Sequence, residues 1–138
     1  AAGDVFSFVT PKNSRLLIAH NTVVAYSATV FDLACKPANS CGSTLFNFAN
    51  NIFLGYHLKG AEPPGLLYMD DRSIKVTASH NIEYGNRPGG GSSCRDGNIC
   101  SDPRLVNQPP QQGWANPTFL DNFNFRPTSD SPARSGRA

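Results

Sequence analysis

The sequence has few charged residues, no cluster of Lys or Arg and no long apolar run. Charged residues make up 16% of the 138 residues, below the roughly 25% of an average soluble chain, and the formal net charge is +2. So small and scattered a charge excludes the basic surface by which proteins bind nucleic acid. No apolar run approaches the roughly 20 residues that cross a bilayer, and the opening AAGDVFSFVT lacks the regions of a signal peptide. We expect no nucleic-acid partner and no membrane span.

Helical periodicity is also missing. The best helical candidate, residues 22–34, is rich in β-branched and aromatic residues, which favour strands. The 12 glycines and 11 prolines favour short strands joined by many corners. The length suits a single domain over residues 1–138. We therefore expect an all-β fold.

Three similar segments recur with a period of 30 residues: LLIAHNTVVAY (16–26), FNFANNIFLGY (46–56) and VTASHNIEYGN (76–86). Asn21, Asn51 and Asn81 occupy the same place in each, between two short apolar runs. Asparagine is a poor strand residue and favours turns, so each marks a corner. A repeat of this kind is typical of a stacked solenoid. We predict a parallel β-helix in which these asparagines form a hydrogen-bonded ladder.

Other strands follow from the same register. Residues 4–10 are the first predicted strand, and residues 66–71 match residues 29–34 in the next coil. The segments 28–45 and 58–75 do not resemble each other, so asparagine pairs that merely occupy loops are the alternative interpretation.

The four cysteines form two segments of equal spacing, CKPANSC and CRDGNIC. Three disulfide pairings are open, and the short, turn-rich segments favour Cys35 with Cys41 and Cys94 with Cys100. Zinc is the competing interpretation, but zinc knuckles space their thiolates more tightly and no histidine stands in step with either pair. Disulfides indicate a secreted, periplasmic or cell-surface location.

The C-terminal quarter contains the motifs DPRLVN, residues 102–107, and FNFRPTSDSPARSGRA, residues 123–138. It resembles the ending of many secreted right-handed parallel β-helix proteins of the pectate-lyase-like superfamily, which run DPLFVD, a linker and DFxLxxxSPAxxxG. The matching residues are Asp102, Pro103, Leu105, Val106, Phe123, Phe125, Ser131, Pro132, Ala133 and Gly136. Asn107 and Arg134 depart from the pattern.

The resemblance implies a right-handed parallel β-helix of about three to five coils, a truncated part of a longer one being an alternative. Coils would occupy residues 4–101, and residues 102–138 would form a terminal capping segment. A solenoid needs a cover over the open end of its core. The apolar side chains expected to supply it are Leu105, Phe119, Leu120, Phe123 and Phe125.

The same resemblance implies a function in carbohydrate binding or lyase-like polysaccharide processing, because the superfamily includes pectate, alginate and chondroitin lyases, polygalacturonases and epimerases. It also includes non-enzymatic adhesins and surface proteins, so a structural or surface-interaction module is the alternative, as is a C-terminal fragment of a larger carbohydrate-active enzyme. Fold alone does not choose between an enzyme and a binding protein.

Catalytic candidates are few. Asp70 and Asp71 form the only adjacent acidic pair and are candidates for catalysis or for binding calcium, the one cofactor we consider, with a solvated turn as the alternative. His57 and Lys59 form a candidate basic pair.

Other polar side chains fall beside the ladder. His20 and His80 flank the ladder at equivalent positions and indicate an outward-facing stack. Glu83, where the other repeats have Val23 and Phe53, is expected to face outward and to be solvated.

Candidates for stacking on sugar rings are the aromatic residues Tyr26, Tyr56, Tyr84 and Trp114, with packing as the alternative. Polysaccharide is thus a candidate partner. An open N-terminal coil would also expose strand edges and apolar residues, which favours self-association or a partner chain.

Overall fold

A computed structural model describes residues 6–25, 29–36, 41–57, 59–69, 73–87, 94, 97–108 and 123–134. Regular secondary structure in these ranges consists of strands. They are β1 (Phe6–Pro11), β2 (Arg15–Ala19), β3 (Thr22–Ala25), β4 (Thr29–Lys36), β5 (Leu45–Ala49), β6 (Ile52–Gly55), β7 (Gly65–Met69), β8 (Lys75–Ser79), β9 (Ile82–Tyr84), β10 (Leu105–Asn107) and β11 (Asn124–Pro127). No helix in the described ranges is long and apolar enough to cross a membrane.

Nine of these strands form three parallel sheets, ordered β1-β4-β7, β2-β5-β8 and β3-β6-β9. The chain visits the three sheets in turn, so β1 to β3 form the first coil, β4 to β6 the second and β7 to β9 the third. Each coil cannot pair its own strands and is stabilised by the coil stacked on it. The predicted all-β parallel β-helix of few coils is therefore confirmed.

The spacing of 30 residues holds in two sheets and fails in the other. Leu16 pairs with Phe46 and Phe46 with Val76, and the strands after the asparagine corner keep the same register. In the first sheet Phe6 pairs with Phe31 and Phe31 with Leu67, so the spacing there is uneven. The matching strands β4 and β7 lie in the dissimilar segments between the repeats, and they begin at different distances from the asparagine corners.

The core lies between the three sheets. Alternate residues of each strand point inward, as Phe46 and Phe48 of β5 do. The ring of Phe31 packs 4.8 Å from that of Phe48 and 5.6 Å, edge-on, from that of Phe53, with ring centroids as the reference points. Phe31, Phe48 and Phe53 come from different sheets, and burying each aromatic side chain contributes roughly 1.5–3 kcal/mol.

A second apolar cluster lies on the opposite side of β6. Ile52 and Leu54 alternate with the inward-facing Phe53, yet they are also buried. Their partners come from the C-terminal part of the chain, where β10 and β11 pair in antiparallel fashion. The sheet that contains β6 is therefore covered on both faces.

This arrangement corrects the expected end cover. Leu105, Phe123 and Phe125 pack in the second cluster, against the outer face of the third sheet, and not across the end of the core. The physical reason is the row of apolar side chains on that face, which would contact water if no other segment packed over it. Phe119 and Leu120 lie outside the described residues.

The C-terminal motifs contact each other directly. The hydroxyl of Ser131 donates to the carbonyl oxygen of Pro103, and the backbone N–H of Thr128 donates to the carbonyl oxygen of Arg104 over 2.9 Å. Arg104 Nη1 lies 3.0 Å from Asp130 Oδ2. These bonds hold residues 128–131 against residues 103–104.

Two disulfides join Cys35 to Cys41 and Cys94 to Cys100, the pairing favoured by the spacing. The first is buried, with Cys41 fully enclosed, whereas both cysteines of the second are exposed. Disulfides of this kind are typical of proteins that mature in an oxidising compartment.

Candidate functional site

The asparagine ladder positions the site. Asn51 Oδ1 accepts hydrogen bonds from the backbone N–H and the Nδ2–H of Asn21, over 3.0 and 3.3 Å. Asn81 Oδ1 accepts the same two bonds from Asn51, both 3.0 Å, and Asn98 Oδ1 accepts them from Asn81, both 2.9 Å. The predicted ladder is thus present, with Asn98 as a fourth member.

Asn51 and Asn81 also fix the end of a strand in the preceding coil. The remaining Nδ2 proton of Asn51 is donated to the Ile18 carbonyl oxygen over 2.8 Å, and that of Asn81 to the Phe48 carbonyl oxygen over 3.0 Å. Asn51 and Asn81 are buried, so these bonds replace the water that the amides lose. The backbone at these two corners is consequently held in one position.

The residue before each ladder asparagine adopts a left-handed conformation. The φ angles are 59° for His20, 56° for Asn50, 57° for His80 and 83° for Gly97. This turn directs the side chains of His20, Asn50 and His80 to solvent, one above another. We call these three side chains the corner ridge, and they form the outward-facing stack that the sequence indicates.

A cavity of about 240 Å³ lies beside the corner ridge, and we call it the corner groove. Its lining comprises the three ridge residues together with Asn51, Ile52, Ile82 and Ala133. Ile52 and Ile82 belong to the outer row of the third sheet, and Ala133 comes from the C-terminal segment packed on it. The volume is below the roughly 300–1,000 Å³ of sites for drug-sized ligands, which suits a single small ring.

The two aromatic candidates that the structure describes, Tyr56 and Tyr84, pack in the second cluster and do not line the corner groove. Tyr56 is 1% exposed in the second cluster, which corrects the prediction that it binds a sugar: the C-terminal segment packs over it. Burial, and to a lesser degree the charge of Asp102, raises the pKa of the Tyr56 phenol far above its usual range. Tyr84 is half-buried in the same cluster, and Tyr26 and Trp114 lie outside the described residues.

Two of the catalytic candidates, His57 and Lys59, are not part of the corner groove. His57 is half-buried and Lys59 is exposed, both between β6 and β7. Asp70 and Asp71 lie outside the described residues, so their roles in catalysis or calcium binding stay predictions. Within the described ranges no group of three or more His, Cys, Asp or Glu side chains could hold a metal ion.

Glu83 is buried, contrary to expectation. Its register partner is Phe53, whose side chain points into the core, and side chains in register on parallel strands point the same way. Glu83 is accordingly only 4% exposed, so it faces inward and not toward solvent.

Repeat comparison at a fixed period missed Asn98, because it follows Asn81 by 17 residues. A local signal was nevertheless present. The triplet at residues 97–99, GNI, continues the series HNT, NNI and HNI at the other corners, with glycine at the left-handed position. Ile99 extends the third sheet by bridging to Ile82, as the series implies.

No protein-family model matches this chain, and comparison with curated proteins and with solved structures also finds no match. The fold and the corner groove therefore stand on the geometry of the chain itself.

Proposed function

We propose that this chain is a secreted carbohydrate-binding module of the parallel β-helix type, and that the corner groove binds a sugar ring of a polysaccharide. The observation that carries the proposal is the exposed corner ridge along the corner groove, with the half-buried apolar side chain of Ala133 in its lining. A sugar presents hydroxyl groups at its rim and C–H groups on its faces. Ridge side chains would bond the hydroxyls, and Ala133, the apolar lining residue that is only partly buried, would contact the ring face.

Backbone geometry supports the proposal. A left-handed conformation costs a residue other than glycine roughly 1–2 kcal/mol, although Asn and His tolerate it better than most. The fourth corner has Gly97 at this position, which avoids the cost. The corners beside the groove have His20, Asn50 and His80, whose side chains can bond a ligand. Conformational cost concentrated in this way is typical of functional sites.

The polysaccharide part of the proposal rests on the C-terminal resemblance to the pectate-lyase-like superfamily. The two motifs that carry the resemblance contact each other through Ser131 and Pro103, as parts of one structural unit. The two disulfides support the secreted location.

Binding is favoured over cleavage at this site. Hydrolysis of a glycosidic bond generally requires two carboxyl groups that flank it. Among the described residues, the lining of the corner groove includes imidazoles and amides but neither Asp nor Glu. The described lining of the groove thus offers groups that recognise a sugar, and no carboxyl pair is among its residues.

Glycan binding by the purified chain tests the proposal. We would measure affinity for pectate, alginate, chondroitin and neutral polysaccharides by affinity electrophoresis and calorimetry. His80→Gly and Asn50→Gly remove ridge side chains without disturbing the left-handed backbone, and each should weaken binding about fivefold to tenfold. His57→Ala, at a histidine outside the groove, is the matched control and should bind normally.

The outcomes separate the alternatives. Binding that is unchanged in both ridge variants would refute the corner groove as the site. Unsaturated products that appear during incubation with the acidic polysaccharides would show a lyase, and dependence on calcium would direct attention to Asp70 and Asp71. No binding to any glycan would refute the carbohydrate function.

A further inference from the structure

Positive side chains that are scattered along the sequence meet at the corner between the first and second sheets. They are Lys12 in the turn before β2, Arg15 at the start of β2, Lys36 at the end of β4 and Lys75 at the start of β8. All four are exposed, and we call them the basic corner. The coil stack assembles this group from separate parts of the chain, so the sequence has no run of Lys or Arg at any of these positions.

Arg15 and Lys75 point the same way from the outer face of the second sheet. Leu45 stands between them, since Arg15 pairs with Leu45 and Leu45 with Lys75. The next residues, Leu16 and Val76, pack against the core. Because side chains alternate along a strand, Arg15 and Lys75 therefore point outward. Neighbouring strands lie about 4.8 Å apart, so about 10 Å separates the Cα atoms of Arg15 and Lys75.

Lys12 supplies a positive charge at the level between them. At the equivalent corner of the second coil stands Gly42, which has a φ of 61° and no side chain. A Cβ added to Gly42 would lie 3.0 Å from both Cγ and Cε of Lys12, so the lysine side chain extends over this glycine. Arg15, Lys12 and Lys75 thus place their charges at the first, second and third coils.

Hydrogen bonds fix the backbone beneath these charges. Asn13 Oδ1 accepts one from the Ser43 N–H over 2.9 Å. Thr44 Oγ1 accepts one from the Ser14 N–H over 3.3 Å, and the Thr44 carbonyl oxygen accepts one from the Lys75 N–H over 3.1 Å. Thr44 itself is fully buried. The charges therefore stand on a rigid frame, which lowers the entropy lost when a ligand binds.

Negative charge is scarce around the basic corner. The described strands of the first and second sheets contain one acidic residue, Asp32, which precedes Lys36 by four residues, about 13 Å along β4. Within the described ranges the basic corner forms no ion pair. Positive charges held together in this way favour an anionic ligand, because the ligand relieves their mutual repulsion.

The outer face of the second sheet connects the basic corner to the corner ridge. Asn47 and Thr77 pair in register on this face, and Leu17 completes their row with a side chain that is 63% exposed. His20 of the corner ridge follows Arg15 by five residues, so the two lie about 16 Å apart at opposite ends of the face. Between them the face offers an amide, a hydroxyl and an apolar side chain.

We propose that the basic corner binds the carboxylate or sulfate groups of an acidic polysaccharide that lies on the outer face of the second sheet. The cations pair with the anionic groups. Asn47 and Thr77 bond sugar hydroxyls, and Leu17 contacts a ring face. That the polymer is a polysaccharide rests on the function proposed above, whereas the preference for an acidic one rests on the basic corner alone.

Pectate and fully methyl-esterified pectin are the probes, because they share a backbone and differ in carboxylate charge. We would measure the binding of both polymers to the full chain by affinity electrophoresis and calorimetry at low ionic strength. Pectate should bind about tenfold more tightly than the esterified polymer. Added salt should remove this difference, since exposed ion pairs are screened.

The double variant Arg15→Gln/Lys75→Gln tests the basic corner. Its affinity for pectate should fall about fivefold to tenfold, and its affinity for esterified pectin should stay within about twofold of wild type. Lys59→Gln/Arg126→Gln removes the same charge at exposed positions between β6 and β7 and on β11. This matched control should bind pectate within about twofold of wild type. Thermal denaturation checks that both variants are folded.

The outcomes separate this proposal from that of the corner groove. If His80→Gly weakens binding of both polymers and Arg15→Gln/Lys75→Gln weakens neither, the carbohydrate function stands and the basic corner is refuted. If only the basic-corner variant weakens pectate binding, the basic corner is supported and the groove is refuted. Equal losses in the two double variants would also refute the basic corner.

Two further results would overturn the proposed ligand. No binding of pectate to the wild-type chain would refute an acidic polysaccharide as the occupant. Duplex DNA that binds as tightly as pectate, with the same dependence on Arg15 and Lys75, would show a general polyanion surface in its place.

Discussion

Asn98 accepts two hydrogen bonds from Asn81, one from the backbone N–H and one from the side-chain Nδ2–H, each 2.9 Å long. Asn81 is fully buried, so no water is available to replace either bond. Asn98 in turn donates to the Ala78 carbonyl oxygen over 2.8 Å. Among the residues that the structure describes, this pair is the last step of the ladder, and it fixes the loop after the third coil to the third corner.

Replacing Asn98 by leucine should lower the free energy of unfolding by about 2–4 kcal/mol, because two buried donors of Asn81 lose their acceptor. Urea denaturation followed by circular dichroism measures the loss. Asn21→Leu, at the exposed end of the ladder, is the matched control and should cost about 1 kcal/mol. Equal losses at the two ends would show that burial does not set the strength of the ladder.

Gly55 cannot carry a side chain. An added Cβ would lie 2.5 Å from the carbonyl oxygen of Gly85 and 2.9 Å from the backbone nitrogen of Asn86. Because backbone atoms of the next coil cannot move aside, Gly55→Ala should destabilise the protein by about 3 kcal/mol. In Gly60→Ala the new Cβ meets nothing within 4 Å, and only its φ of 79° opposes it, at about 1 kcal/mol. Thermal denaturation of the two variants tests this order, which the reverse result would contradict.

The two disulfides should differ in their resistance to reduction. Each closes a loop with a sequence separation of 6, which contributes about 2 kcal/mol on the chain-entropy model. Cys35 and Cys41 are buried, whereas Cys94 and Cys100 are exposed. In native buffer with limited reductant, alkylation and mass spectrometry should label Cys94 and Cys100 first. Simultaneous labelling of both pairs would mean that reduction occurs only through global unfolding.

Asp130 should make stability depend on pH in the acid range. A hydrogen bond from the Thr128 hydroxyl, 2.6 Å long, and the Arg104 guanidinium lower the pKa of the Asp130 carboxyl in the folded chain. A lowered folded pKa means that the carboxylate stabilises the fold above the unfolded pKa of about 3.9, and that this contribution disappears as pH falls through the folded value.

The difference in melting temperature between wild type and Asp130→Asn should accordingly be present near neutral pH and vanish in strong acid. Glu62→Gln, at an exposed carboxylate between β6 and β7, controls for the loss of one negative charge. A difference for Asp130→Asn that stays constant down to the acid limit would contradict the assignment.

The coils could be predicted from the sequence because each corner has an asparagine at the equivalent position of its coil. Each of these asparagines hydrogen-bonds to the asparagine of the next coil. The sequence therefore shows asparagine at a regular interval, as at Asn21, Asn51 and Asn81. Asn98 was not predicted because the final loop is shorter than a coil, so this residue does not continue the 30-residue spacing. Its hydrogen bond with Asn81 depends on their positions in space and not on their separation along the chain.

The outer packing of the third sheet was harder to predict. Residues 52–54, IFL, form a continuous apolar run, which is the pattern of a strand buried on both faces. That run shows that something covers Ile52 and Leu54, but it does not identify the cover. Leu105 and Phe125 supply it from more than 40 residues away, through pairing of β10 with β11 that no repeat records.

The wide separation of paired strands along the chain has a consequence for the speed of folding. Arg15 meets Leu45 only after the chain closes a loop of about 30 residues, and this entropy is lost before any sheet bond forms. Folding dominated by such non-local pairing should take roughly milliseconds to seconds. Once two coils have met, each later coil finds a ready template, so the first encounter is rate-limiting. The bond between Cys35 and Cys41 lies inside that first loop and shortens it, so early oxidation of this pair should speed the slowest step of folding.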